Sequence, residues 1–111
     1  MEIKFSNENH VDVVQLSGRL TANDVSAIRR EINNFIKNGT ANLLLDITEL
    51  EFIDSSGLGL LVGSRQEARK HNGDLILLGP KPEVRALLEL TRLGQIFSIF
   101  NDQAEAVNSL H

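Results

Sequence analysis

The run Phe52-Ile53-Asp54-Ser55-Ser56-Gly57-Leu58-Gly59-Leu60-Leu61 holds the residues best suited to chemistry. An acid precedes two adjacent hydroxyls, and glycines then open onto an apolar run of helical spacing. The pattern reads as a helix start with a serine in its first turn. Backbone N–H groups are unpaired there and the macrodipole presents its positive end, so negative charge is tolerated. A serine in that place is a cap, a nucleophile or a phosphate acceptor. Asp54, Ser55 and Ser56 supply three candidate caps for one helix, which leaves at least one oxygen free for another role.

Hydrolytic chemistry lacks a base. The three histidines are His10 in a hairpin, His71 at the far end of the same helix and His111 at the terminus. None is placed to reach hydrogen-bond distance of Ser56. The surroundings also lack a Gly-x-Ser-x-Gly elbow. No His-x-x-x-His pair exists for a metal. Asp46, Glu49, Glu51 and Asp54 gather near the loop that leads into the helix. Asp46 and Asp54 have the chemistry for magnesium, although such acids more often cap and solvate a loop. No Gly-x-x-x-x-Gly-Lys phosphate loop is present, and Gly57-Leu58-Gly59 is a lone Gly-x-Gly. The expectation is a non-enzyme with no cofactor and no metal, in which the surplus hydroxyl leaves room for a regulatory role.

Bulk properties narrow the class further. A chain of 111 residues with 41% hydrophobic and 23% charged residues is one ordinary globular domain, spanning 1–111. Five Phe, no Tyr, no Trp and a net charge of −4 argue against nucleic acid, which calls for stacking rings or clustered Lys and Arg. Absence of cysteine excludes disulfides and thiol chemistry. No segment approaches the ~18 apolar residues of a membrane span, and Met1-Glu2-Ile3-Lys4-Phe5 does not resemble a signal peptide. A cytoplasmic location is expected.

The elements that position the serine follow from periodicity. Ile3 and Phe5 alternate with polar residues, Asn7-Glu8-Asn9 marks a turn, and Val11 to Leu16 is β-branched and apolar, which predicts an antiparallel hairpin ending at Gly18. Thr21-Ala22-Asn23-Asp24 caps a helix carrying Val25, Ile28, Ile32, Phe35 and Ile36, stopped by Asn38-Gly39. Leu43-Leu44-Leu45 with Ile47 and Leu75 to Leu78 read as strands buried on both faces. Between the first of these and the Ser56 helix, Thr48 to Ser55 reads as a loop, with Asp46 ordering it from the strand end. The Ser56 helix stops at Asn72-Gly73. Pro82 opens a third helix that closes near Gly94, Ile96 to Phe100 is short and extended, and Asp102 caps a last helix bearing Ala104, Val107 and Leu110 on one side. Alternation of this kind predicts an α/β domain. Its mixed, mainly parallel sheet begins with an antiparallel hairpin and packs against about four helices.

At about 100° per residue, Leu58, Leu61, Val62 and Ala68, with the stem of Arg65, face the sheet. Ser56, Gly59, Leu60, Gly63 and Glu67 are assigned to the opposite face. Gly59 and Gly63 each cost about 1 kcal/mol of helix propensity relative to Ala. Two readings stand: a docking surface with Leu60 as an exposed apolar anchor, or glycines that let the helix pack tightly on its own domain.

Taken together, Leu44-Leu45-Asp46-Ile47 and Phe52-Ile53-Asp54-Ser55-Ser56-Gly57-Leu58-Gly59 resemble the signature of the STAS domain, specifically of bacterial anti-sigma factor antagonists. Leu16-Ser17-Gly18-Arg19-Leu20, Gly73-Asp74-Leu75 and Val84-Arg85-Ala86-Leu87-Leu88 fit the same family. The resemblance implies phosphorylation at Ser56 in a partner-switching cycle. An anti-sigma factor that is also a serine kinase of histidine-kinase-like ATPase fold binds the unphosphorylated form and frees its sigma factor. Phosphorylation ends that binding, and a serine phosphatase restores it. ATP and magnesium belong to the kinase. Asp54 and Ser55 shape the helix start, and Gly57, Gly59, Leu60 and Gly63 form the contact face. Thr21 belongs to the partner-binding set, at a position where the family often carries an acid. The rival implied role is an unphosphorylated structural subunit of a stress-signalling scaffold or a lipid-transport ATPase complex.

Overall fold

The computed structural model describes residues 1–110. Its elements run β1 (Glu2–Glu8), β2 (Val11–Leu20), α1 (Ala22–Asn38), β3 (Asn42–Ile53), α2 (Ser55–Lys70), β4 (Asp74–Leu78), α3 (Pro82–Leu90), a 3-10 turn (Leu93–Gln95), β5 (Ile99–Phe100) and α4 (Gln103–Ser109). Five strands form one sheet in the order β1-β2-β3-β4-β5. Only β1 and β2 are antiparallel; the other neighbours are parallel. The hairpin turns on Asn9 and His10, both at positive φ (50° and 66°), which is the geometry that matches the twist of the flanking strands.

Strand alternation divides the core. Val14, Leu16, Leu43, Leu45, Ile47, Leu75 and Leu77 belong to a large cluster with residues of α1, α2 and α3. Val11, Val13, Leu44, Ile76 and Leu78 point the other way, onto Ala106 and Val107 of α4. Each fully buried Leu or Ile contributes about 1.5–3 kcal/mol of transfer free energy, so the strand runs largely dictate the layering. On α4 the buried residues are Ala106 and Val107 rather than Ala104, which is exposed.

Two sequence expectations near the serine are corrected. Strand β2 does not end at Gly18 but passes through it, at φ +97°, to Leu20. No loop spans Thr48 to Ser55, because β3 continues as a strand to Ile53. The pairing shows how. Gln15 pairs with Asp46 but Ser17 with Glu49, and Gly18 pairs with Leu50 but Arg19 with Phe52. Strand β3 thus carries one extra residue at each of two bulges, which increase local twist and bend the strand. Beyond Asp46 it pairs with β2 alone.

Helices α1, α2 and α3 start directly after β2, β3 and β4, so their positive ends lie at the carboxyl edge of the parallel strands. That edge is where open α/β sheets place their sites.

Candidate functional site

The Asp54 carboxylate organises this edge. Asp54 is the N-cap of α2, and its Oδ1 accepts the Gly57 N–H at 2.9 Å. Its Oδ2 accepts the Ala22 N–H, the first amide of α1, at 3.0 Å. The Asp54 N–H in turn donates to the Leu20 carbonyl at 3.2 Å. One acid therefore caps two helices and ties the β2–α1 junction to the β3–α2 junction. The Gly57 amide, the largest influence, holds the Asp54 carboxyl below its ordinary range. Desolvation opposes this, and the amides of Ala22, Ser56 and Asp54 itself reinforce it.

With Asp54 as the cap, neither serine is needed for that task. Ser55 and Ser56 occupy the first two helical positions, Ser55 exposed and Ser56 half-buried. The one buried side-chain oxygen or nitrogen without a hydrogen-bond partner among the described residues is Ser64 Oγ. The Ser56 hydroxyl, also without a partner among the described residues, is absent from that buried class and so keeps access to solvent. Thr21, the N-cap residue of α1, is extended (φ −124°, ψ 173°) and makes no side-chain cap. Asp54 performs that function for it, which brings Thr21 beside the α2 start.

The glycines of α2 separate into two kinds. A Cβ built on Gly59 or Gly63 meets nothing within 4 Å, so the outer face of α2 is open there. A Cβ on Gly57 would stand 2.5 Å from Ile53 Cγ1 and 3.0 Å from both Leu20 Cγ and the Leu20 carbonyl oxygen. Gly57 is buried and serves the approach of α2 to the β2 and β3 ends, so it is not a surface residue of the contact face.

Leu60 is likewise corrected: it is fully buried, a member of the large core cluster, and not an exposed anchor. It lies about 100° from Leu61, on the flank of the helix rather than its outer side. Burial extends to that flank because α1 packs alongside α2. Arg65 does face inward, and its head reaches Asp74 at 3.3 Å.

Asp46 lies away from this group. Its Oδ1 accepts the Thr48 N–H at 3.0 Å and the Thr48 hydroxyl at 2.7 Å, which pins the first bulge of β3 rather than a loop. The seven residues between Asp46 and Asp54 run along strand β3, a span on the order of 20 Å. Asp46, Glu49, Glu51 and Asp54 are strung out, and no group of three or more potential metal ligands converges among the described residues. His71 pairs with Glu67 at 3.4 Å at the far end of α2. His111 lies outside the described residues.

Phe52 was not singled out from sequence. It is 38% exposed, beside the Asp54 turn, with the Arg19 guanidinium 4.2 Å from its ring centroid. The available signal was an aromatic next to the β-branched Ile53, a pairing that favours a strand over a loop. No helix among the described residues is long and apolar enough to cross a membrane.

The STAS domain family model matches residues 3–106, and the chain belongs to that family. An anti-sigma-B factor antagonist of Listeria monocytogenes is 30% identical over 106 residues, covering 95% of this chain and 91% of that protein. The solved anti-sigma factor antagonist SpoIIAA in its unphosphorylated form is similar at TM-score 0.84 and 29% identity, over 97% of this chain and 95% of that one. Bacillus SpoIIAA in its phosphorylated form matches at TM-score 0.76 and 27% identity, over 99% and 100%.

Proposed function

We propose that this chain is a cytoplasmic anti-sigma factor antagonist, not an enzyme, and that phosphorylation of Ser56 switches its partner. The observation that carries the reading is the unpaired, solvent-accessible Ser56 hydroxyl in the first turn of α2, next to the open Gly59 and Gly63 positions. The unphosphorylated chain docks on an anti-sigma factor with a histidine-kinase-like ATPase fold, and that partner releases its sigma factor. The partner's kinase activity passes the γ-phosphoryl group of ATP to Ser56 Oγ: the new O–P bond forms, the bond to ADP breaks and the hydroxyl proton leaves. A serine phosphatase reverses the modification. The chain needs no cofactor of its own.

Phosphate adds about −1.5 to −2 charge and three acceptor oxygens. At Ser56 it joins the negative Asp54 but meets the positive starts of α1 and α2, so the fold can hold it. The likeness of this chain to both forms of SpoIIAA supports that view. A partner surface fitted to a neutral hydroxyl must instead desolvate a dianion. An unmatched buried charge costs about 2–5 kcal/mol at an interface, a ~30- to several-thousand-fold loss of affinity. The switch is local blockade rather than refolding.

The test uses the purified chain with each purified histidine-kinase-like ATPase of the same genome. Ser56→Ala retains binding, Ser56→Asp binds poorly, and mass spectrometry after incubation with ATP finds the phosphate on Ser56. Equal binding by the two variants removes Ser56 from the switch.

A further inference from the structure

Between the far end of β3 and the start of α3 lies a groove of about 190 Å³, lined by Glu51, Phe52, Ile53, Glu83, Val84 and Leu87. Ile53 and Val84 are buried and form its floor, Leu87 is half-buried, and Glu51 and Glu83 are exposed at the rim. Neither carboxylate is in an ion pair among the described residues. The groove adjoins the Ser56 turn, since Ile53 directly precedes Asp54 and its Cγ1 abuts Gly57. At ~30 Å³ per water it holds roughly six waters, the room of one long side chain rather than of a helix.

We propose that this groove seats an arginine side chain of the protein that docks at Ser56; the inference rests on that reading of the site. An apolar floor takes the aliphatic stem. Two free carboxylates at the rim offer a planar guanidinium the acceptors its fork requires. The Phe52 ring already carries the Arg19 guanidinium on it, so the same aromatic chemistry is in use at the edge of the groove. The arginine holds the partner in register over the unphosphorylated Ser56 hydroxyl.

Two measurements test this. In the first, acetyl-arginine amide is titrated into the isolated chain and followed by NMR. Saturable shifts confined to residues 51–53 and 83–87, and lost in Glu51→Gln/Glu83→Gln, support the groove. Shifts absent there, or unchanged in that variant, overturn it. In the second, Glu51→Lys/Glu83→Lys is compared with wild type against the kinase-type partner. Both residues are exposed, but Glu83 lies in the first turn of α3, where lysine opposes the helix dipole, so the melting temperature is expected to fall by a few degrees and binding is compared well below it. Affinity falls roughly tenfold or more, and the partner's KM for the chain rises with kcat unchanged. Wild-type affinity and phosphorylation in the variant overturn the proposal, as does a homodimer in sedimentation that this variant abolishes. If wild type binds no such partner, the proposed function fails, and the acetyl-arginine amide titration alone decides the groove.

Discussion

Replacing Gly59 and Gly63 together by alanine separates the stability of this domain from its docking. In helix interiors glycine is about 0.5–1 kcal/mol less favourable than alanine. Neither added Cβ meets an atom within 4 Å, so no packing cost offsets the gain. The double variant should therefore be about 1–2 kcal/mol more stable. For a domain of this size each kcal/mol moves Tm by about 4 °C, which gives a rise of about 4–8 °C. Gly57→Ala in the same helix should act in the opposite sense. Its Cβ would press on Ile53 and on the Leu20 side chain and carbonyl, and overpacking of about 1–3 kcal/mol exceeds the propensity gain. Thermal and urea unfolding followed by circular dichroism measure both signs. Calorimetric titration with the kinase-type partner measures the rest: two methyl groups on a bare docking face should weaken binding at least tenfold, about 1.4 kcal/mol, while the fold becomes more stable. A lower Tm in Gly59→Ala/Gly63→Ala would refute the claim that this face is open. A higher Tm with unchanged affinity would remove the glycines from the interface.

Leu60→Ala should cost about 2–5 kcal/mol of stability in urea unfolding, as for other buried leucines, whereas a surface anchor would change stability little. Asp54→Asn should lower stability at neutral pH. Because the folded-state pKa of Asp54 lies below its ordinary 3.8, its carboxylate stabilises the fold above that value, and the benefit is lost as pH falls through the lowered pKa. The stability gap between wild type and Asp54→Asn should therefore close in acid denaturation below about pH 3.8, and a gap that persists there would contradict the double cap. Asp46→Ala should loosen the first bulge of β3, seen as faster amide hydrogen exchange at Thr48 and Glu49, with Ser56 phosphorylation little changed because the two sites are far apart.

Much of the fold was legible because the decisive signals are local. Uninterrupted apolar runs at Leu43–Leu45 and Leu75–Leu78 mark strands covered on both faces, and Asn72-Gly73 and Pro82 punctuate the helices between them. The first turn around Ser56 was legible for the same reason. The length of β3 was not. Two bulges shift its register, so Leu50 and Ile53 fall out of simple alternation with Ile47, and Glu49 and Glu51 give the segment the composition of a loop. Leu60 misled because burial on a helix flank depends on where α1 lies, which no pattern within α2 encodes. The second role of Asp54 was invisible for a similar reason: Ala22 is 32 residues away in the chain. Phe52 and Glu83 meet only when β3 and α3 are placed side by side.

That bond to Ala22 limits how the Ser56 turn can be moved or redesigned. Grafting residues 52–63 alone onto another sheet would leave half of the Asp54 carboxylate without its donor and the transplanted turn free to swing. A recombinant chimera should exchange residues 18–24 in the same step, so that the two crossings of the sheet edge travel as one cassette.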